Sequence, residues 1–157
     1  MSKVTIVSAL FDIERVDGRP WEEYLKWFEE FLKLKTPMIL FVSEDVAEFI
    51  GEKRNDIPTE IVVQNVDQIP YYDLKDQIQE ILDTDEYKEN ISDAGRIECK
   101  QAMYSVIQYS KFPWLKQAAK DNPDPIHLHQ ISQDKTLYSS VQENSLPSHL
   151  LILVRLY

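Results

Sequence analysis

The chain has 157 residues, of which 43% are hydrophobic and 11% aromatic, and its formal net charge is −10. This length and composition predict one globular domain with a sizeable core and exclude a disordered chain. The acidic balance argues against binding to nucleic acid, which needs a basic surface, but it leaves room for a local basic pocket that captures a small anion.

The first 66 residues alternate between strand and helix patterns. Continuous apolar runs predict buried strands at residues 4–11, 38–43 and 60–66. Amphipathic spacing and a favourable charge polarity predict helices at residues 21–34 and 44–54. This β-α-β-α-β order predicts the α/β class, with a parallel sheet whose ligand lies beyond the carboxyl ends of the strands.

Two polar residues follow the first two predicted strands. Asp12 stands at the carboxyl end of the first strand and is either a turn residue or part of a site. Ser43 stands at the same end of the second strand and precedes Glu44 and Asp45, so a helix cap is favoured there over a functional role.

The chain after residue 66 contains two more predicted helices. Residues 71–82 have helical spacing behind Pro70, and residues 97–112 form the longest helix candidate. Arg96 and Lys100 would then stand one turn apart on one helix face. Spacing alone leaves two interpretations open, because such a pair is either a set of weak surface ion pairs or a grip on a diphosphate.

Several catalytic motifs are missing from the sequence. Glycine occurs only at positions 18, 51 and 95, so neither G-x-G-x-x-G nor a Walker loop can be written, and no G-x-S-x-G occurs. His127 and His129 have no evident third ligand, so a metal site there is not favoured. The triplet Asp83-Thr84-Asp85 has the form of a cation-binding D-x-D motif, but its place after a helix predicts a solvated helix end.

Targeting signals are also missing. The amino-terminal run MSKVTIVSALFD lacks the length and cleavage site of a signal peptide, and no window reaches the roughly 18 apolar residues of a membrane span. The single cysteine, Cys99, cannot form an intramolecular disulfide, and a packed, inert thiol is predicted. These features predict a cytoplasmic protein without a transmembrane segment.

Four segments carry a family resemblance: VTIVSALFDI, YLKWFEEFLKLKTPMILFV, IPYYDLKDQIQEIL, and the region from ISDA through RIECKQAMYSVIQYSKF to WLKQAA. Over residues 3–123 the chain resembles the HtrL/YibB (WlaTC-like) family of bacterial glycosyltransferase-like proteins. The resemblance implies a partial GT-A-like sheet flanked by helices and sugar transfer in surface-polysaccharide biosynthesis. It further implies a nucleotide-sugar donor, a glycan acceptor and a divalent cation, Mn²⁺ or Mg²⁺, although the metal-binding motif is not found in this sequence.

The resemblance also implies site residues. By analogy with retaining glycosyltransferases of the glycogenin type, Arg96 and Lys100 would contact the donor diphosphate. The nucleoside would lie against the strand-end residues Ala9, Leu10, Phe11 and Asp12. Asp73 and Lys75 match family positions without an assignable role, and the resemblance identifies no catalytic residue.

Residues 124–157 differ in character from the rest of the chain. They carry 5 charged residues in 34, against 39 in the preceding 123, and Arg155 follows the apolar run LLILV where the family has an acidic motif. One hypothesis is a nucleotide-sugar-binding half at residues 1–123 followed by a frameshifted or truncated tail. The alternative is a genuine divergent tail that completes the sheet.

The leading interpretation is therefore an incomplete glycosyltransferase-type domain. One alternative is a non-catalytic α/β remnant, whose open sheet edge would favour self-association. The other is a small-anion-binding module that uses Arg96 and Lys100.

Overall fold

The computed structural model describes residues 5–15, 20–121, 128–130 and 150–152. The strands are β1 (Ile6–Leu10), β2 (Met38–Val42), β3 (Thr59–Val63), β4 (Leu128–Gln130) and β5 (Leu150–Ile152). The helices are α1 (Trp21–Leu32), α2 (Glu44–Lys53), α3 (Lys75–Asp83), α4 (Asp85–Asn90) and α5 (Ala102–Asp121). Short 3-10 turns lie at Val66–Gln68, Tyr72–Leu74 and Ile97–Cys99.

The strands form one parallel sheet in the order β3-β2-β1-β5-β4. The predicted β-α-β-α-β order of the first 66 residues is thus confirmed. From β1 the chain proceeds outward to β2 and β3 on one side, and it later returns to fill the other side with β4 and β5. The order of the strands therefore reverses at β1, and open α/β sheets bind ligands at such a switch point.

Both faces of the sheet are covered, which explains the continuous apolar runs of β1 and β2. All residues of these two strands are buried. Along β1 the side chains alternate, so that Val7 and Ala9 pack in the cluster that contains α5, while Ile6 and Leu10 pack against α1 and α2. The outer strand β3 is more exposed, and Val63 at its end is 50% exposed.

The core between α1, α2 and the sheet contains a buried arginine. Arg54 is only 4% exposed, and its guanidinium donates to the main-chain carbonyls of Leu32, Leu34 and Thr36 at 2.6–2.8 Å. Its Nε donates to Thr59 Oγ1 at 2.7 Å. Burial lowers the pKa of Arg54. These bonds satisfy the carbonyl of Leu32 at the end of α1 and those of Leu34 and Thr36 in the connection that follows, and they fix the chain leading into β2.

The opposite core is centred on Trp114 of α5, which is 1% exposed. Its indole stacks between Phe11 and Phe41, with ring centroids 5.6 and 5.5 Å apart. The indole N–H donates to Gln64 Oε1 at 2.8 Å. Because Phe11 follows β1 and Gln64 follows β3, this one side chain ties α5 to the carboxyl ends of the sheet.

The prediction of one helix over residues 97–112 was wrong at both ends. Residues 97–99 form a 3-10 turn, α5 begins only at Ala102, and it runs through Pro113 to Asp121. Arg96 and Lys100 flank the short turn, so they do not stand one helical turn apart on a helix face. Proline lacks only one N–H donor, and the packing of Trp114 and Leu115 holds the helix together beyond it.

The region after residue 123 contributes β4 and β5 to the same sheet. The boundary at residue 123 and the change of reading frame stay predictions, although the pairing of β5 with β1 agrees with a tail that completes the sheet. Among the residues that the structure describes, no helix has the length and apolar character that crossing a membrane requires.

Candidate functional site

A cavity of about 170 Å³ lies beyond the carboxyl end of β1. One side is formed by the loop that follows β1, and the other by the first turn of α1. The described residues that line the cavity are Phe11, Asp12, Ile13, Glu14, Arg15, Pro20, Trp21 and Tyr24. The cavity therefore lies at the strand where the sheet order reverses, at the carboxyl ends of the strands, where open α/β sheets bind ligands.

The loop after β1 has a constrained backbone. Glu14 adopts a left-handed conformation with φ of 50°, which is uncommon for a residue with a side chain and costs on the order of 1–2 kcal/mol. The carboxylate of Asp12 stabilises this turn, because its Oδ1 accepts the Glu14 N–H at 2.8 Å. Asp12 is thus a turn residue and a cavity residue at once, and the two predicted roles are compatible.

Aromatic and cationic side chains form the rest of the lining. Arg15 Nη1 donates to the hydroxyl of Tyr24 at 2.6 Å, which joins the loop to α1. Tyr24 is 3% exposed and its ring lies between those of Trp21 and Trp27, with centroids 6.4 and 6.0 Å away. The cavity wall on the α1 side is therefore fixed by packing.

The segment before α5 is tied to the same loop. Gln101 Nε2 donates to the main-chain oxygen of Ile13 at 2.5 Å. The Oε1 atom of Gln101 is buried and accepts no hydrogen bond from the described residues. Lys100 directly precedes Gln101, so this contact brings the main chain of Lys100 close to the loop that lines the cavity.

Arg96 forms a surface ion pair, which is one of the two interpretations that its spacing from Lys100 left open. Its Nε lies 3.0 Å from Glu98 Oε1, and the side chains are 65% and 35% exposed. Such exposed pairs contribute at most about 1 kcal/mol, so the guanidinium can exchange Glu98 for a stronger anion. The described residues that line the cavity include neither Arg96 nor Lys100, and the role of these two residues as donor contacts stays a prediction.

The four strand-end residues named from the resemblance have different positions. Ala9 and Leu10 are 4% and 3% exposed and pack into opposite cores, so their side chains support the strand. Phe11 and Asp12 line the cavity. Sequence reasoning missed Trp21 and Tyr24, because the aromatic spacing of residues 21–34 was interpreted only as a helix face that packs on the core. It also missed Arg15, which lies in the loop after β1.

Other candidate residues prove to be structural. Asp83 ends α3 and Asp85 begins α4, while Thr84 Oγ1 accepts the Tyr87 N–H at 3.2 Å as a helix cap, so the predicted helix end is confirmed. Ser43 precedes α2 as predicted, but its hydroxyl makes no capping bond.

The two family positions in YYDLKDQ lie away from the cavity lining. Lys75 Nζ lies 5.4 Å from the centre of the Tyr72 ring, and Asp73 is in the 3-10 turn before α3. This geometry assigns neither residue a role.

Cys99 lies in the turn before α5 and is partly buried. A hydrogen bond to Cys99 is the main reason why the pKa of Tyr87 is raised, with burial and the charges of Cys99 and Glu98 adding to it.

No three His, Cys, Asp or Glu side chains gather into a potential metal site within residues 5–15 and 20–121. Asp12 and Glu14 are the carboxylates that border the cavity. The pair His127 and His129 lies outside the residues whose side chains the structure describes.

The comparisons with known proteins identify a family. The family described as "Bacterial protein of unknown function (HtrL_YibB)" matches residues 2–149. This match continues past residue 123 and includes β4. No curated protein and no solved structure matches the chain. Because the match covers nearly the whole sequence, the chain belongs to the HtrL/YibB family.

Proposed function

We propose that the chain is a glycosyltransferase-type domain of the GT-A kind, which binds a nucleotide-diphosphate sugar for transfer to a hydroxyl of a surface glycan. The observation that carries this proposal is the cavity beyond β1, the strand at which the sheet order reverses. Parallel α/β sheets bind nucleotides at this place, because the loops there diverge and leave a crevice. The sequence resemblance supplies the reaction.

The cavity loop has features that favour an ordered ligand site. The left-handed Glu14, the Asp12 turn and the Arg15–Tyr24 bond fix the loop before any ligand arrives. Preorganised loops lose less conformational entropy on binding, so affinity rises for the same contacts. Strained backbone of this kind is common at binding sites.

The diphosphate would lie toward the turn that carries Arg96 and Lys100. Gln101 links this turn to the loop after β1, so a ligand in the cavity could extend its phosphates to the two cations. A guanidinium and an ammonium would stabilise the negative charge that develops on the diphosphate when the sugar leaves.

The resemblance also implies a divalent cation. The described residues do not form a cation site by themselves, since they bring together no three metal-ligating side chains. Dependence of donor binding on a cation is therefore a question for titration with and without Mn²⁺.

A titration with UDP tests the proposal. Binding is measured by calorimetry with and without Mn²⁺ for the wild type and for the double variant Arg96→Ala/Lys100→Ala. The matched control is Lys116→Ala/Lys120→Ala, which removes the same charge from the exposed side of α5. The proposal expects binding that Mn²⁺ strengthens, that the first variant loses and that the control keeps.

The other outcomes favour the alternatives. Binding that is independent of Mn²⁺ but lost in Arg96→Ala/Lys100→Ala indicates a small-anion-binding module. Equal loss in both double variants indicates a non-specific charge effect. The absence of binding at millimolar UDP favours a non-catalytic remnant.

A further inference from the structure

The outer face of α5 carries two large aromatic side chains that the fold does not bury. Tyr109 is 60% exposed and Phe112 is 67% exposed, which are the highest values among the large hydrophobic residues that the structure describes. Trp114 and Leu115 on the inner face of the same helix pack in the core, so α5 is held firmly in place. Exposed apolar groups that cluster, unlike single ones, mark surfaces that contact a partner.

Two lysines extend the same face of α5. Lys116 and Lys120 are exposed and follow Phe112 at intervals of four residues, while Tyr109 precedes Phe112 by three. Spacings of three and four residues place side chains on one side of an α-helix. Tyr109, Phe112, Lys116 and Lys120 therefore form one row along α5, the basic-aromatic stripe.

The charge of this stripe is opposite to that of the other helices. α5 contains three lysines and one acid, Asp121, whereas α1, α2, α3 and α4 each contain more acidic than basic residues. Asp121 follows Lys120 directly, and one residue turns an α-helix by about 100°, so this acid stands off the stripe. In the part of the chain that the structure describes, no carboxylate forms an ion pair with Lys116 or Lys120. The stripe is thus a local positive surface on a chain with a net charge of −10.

This combination of rings and cations matches the chemistry of an anionic membrane surface. Aromatic side chains enter the boundary between lipid headgroups and acyl chains, and lysines beside them reach the headgroup phosphates on long flexible stems. An acidic protein surface would pair with the lysines but would leave the rings against charged groups. In a second copy of this chain, α1 and α2 expose no large hydrophobic residue and α3 exposes only Ile81, so the rings would find little apolar surface there.

The negative charge of the whole chain is compatible with such a contact. The Debye length is about 8 Å at physiological ionic strength, so the charges nearest to the lipid dominate the interaction. The acidic helices α1 and α2 pack on the face of the sheet opposite to α5. Repulsion between their carboxylates and the anionic lipids therefore favours the orientation in which α5 faces the membrane.

We propose that the basic-aromatic stripe of α5 docks the protein on the surface of a membrane that contains anionic lipids. The rings of Tyr109 and Phe112 enter the headgroup region, while Lys116 and Lys120 contact lipid phosphates. Two rings and two lysines provide only a few weak interactions, so the contact is peripheral and reversible. It is also separate from nucleotide binding, because no residue of the stripe lines the cavity beyond β1.

Co-sedimentation of the full chain with lipid vesicles tests this proposal. The chain is expected to bind vesicles of phosphatidylcholine mixed with phosphatidylglycerol and not vesicles of phosphatidylcholine alone, and salt is expected to weaken the binding. Lys116→Glu/Lys120→Glu is expected to lower the affinity for the anionic vesicles by about tenfold or more. Phe112→Ser is expected to lower it several-fold, because a ring that enters the headgroup region is lost.

Two matched controls separate the stripe from general effects. Lys26→Glu/Lys35→Glu changes the net charge by the same amount at two exposed positions in and after α1. Ile81→Ser removes an apolar side chain that is 58% exposed on α3. Both are expected to keep the wild-type affinity for anionic vesicles. Thermal unfolding checks that each variant folds, and if Phe112→Ser does not fold, the two lysine variants decide the question.

Three results would overturn the proposal. One is equal binding to neutral and anionic vesicles, or binding to neither. Another is an equal loss in the two lysine variants, which would reflect net charge alone. The third is self-association that Phe112→Ser abolishes, seen by size-exclusion chromatography without any vesicle binding, because the stripe would then meet a second copy of the chain. The proposed function is tested separately, since UDP binding is measured without lipid.

Discussion

Gln79 of α3 accepts the main-chain N–H of Ala102, the first residue of α5, at 3.0 Å. The same amide donates to the carbonyl of Lys100 at 2.9 Å. One side chain therefore sets the point at which α5 begins, and it holds the preceding turn against α3. Through Gln101 this turn also contacts the loop that lines the cavity.

Replacing Gln79 with alanine is expected to lower the free energy of unfolding by about 1–2 kcal/mol, because a helix cap and a second hydrogen bond are lost. Chemical denaturation followed by circular dichroism measures the change. Gln77→Ala is the control, since Gln77 is exposed on the same helix and its loss should be nearly neutral. Equal effects of the two substitutions would contradict the role of Gln79.

The parts of the fold that the sequence predicts are those whose pattern depends on local burial. The strands β1 and β2 are predictable because helices cover both of their faces, so their apolar runs are continuous. The start of α5 is not predictable from its own residues, because it depends on Gln79, which is 23 positions earlier. Local periodicity cannot register a cap supplied from another helix.

The candidate site was predictable to a similar degree. Asp12 could be placed because a polar residue after a buried strand marks the carboxyl edge of a parallel sheet. Trp21 and Tyr24 could not be assigned, since core packing and cavity lining give the same helical spacing. The distinction needs the position of α1 relative to the loop after β1, which only tertiary structure supplies.

Trp114→Phe is expected to destabilise the fold by about 2–3 kcal/mol. The smaller ring leaves a cavity between Phe11 and Phe41, and the hydrogen bond to Gln64 is lost. Urea denaturation measures the effect. Phe112→Leu is the control because Phe112 is 67% exposed on the same helix, and a similar cost there would argue against the special position of Trp114.

A double-mutant cycle isolates the hydrogen bond between the indole and Gln64. The free energies of unfolding of Trp114→Phe, Gln64→Ala and the double variant are compared with that of the wild type. A coupling energy of about 0.5–1.5 kcal/mol is expected for a neutral bond. Strict additivity would show that packing alone makes Trp114 important.

Arg54→Met is expected to lower the free energy of unfolding by about 3 kcal/mol or more. The substitution removes four hydrogen bonds and leaves the carbonyls of Leu32 and Leu34 buried without their donor. The neighbouring Lys53→Met is the control, because Lys53 is partly exposed and makes a surface ion pair with Glu29 at 2.7 Å and a cation–π contact with the Phe49 ring at 5.5 Å. Loss of that pair should cost at most about 1 kcal/mol and should matter less at high salt.

The partial burial of Lys111 in α5 is expected to make the free energy of unfolding depend on pH. Burial lowers the pKa of its ammonium from the ordinary value of 10.5, so the folded state disfavours the charged form. Below the folded pKa the group is charged in both states and this penalty is fully present. As the pH rises from the folded pKa to the unfolded value, the penalty disappears.

Lys111→Met is therefore expected to stabilise the protein at neutral pH, by roughly 0.5 kcal/mol because water still screens the half-buried group. The gain should decline as the pH approaches about 10.5, where the wild-type lysine becomes neutral in both states. Urea denaturation at several pH values from neutral to alkaline measures it. Lys116→Met removes an equal charge from an exposed position of α5 and corrects for the change in net charge. A difference between the two variants that stays constant with pH would show that the apolar surface of methionine, and not the buried charge, produces the gain.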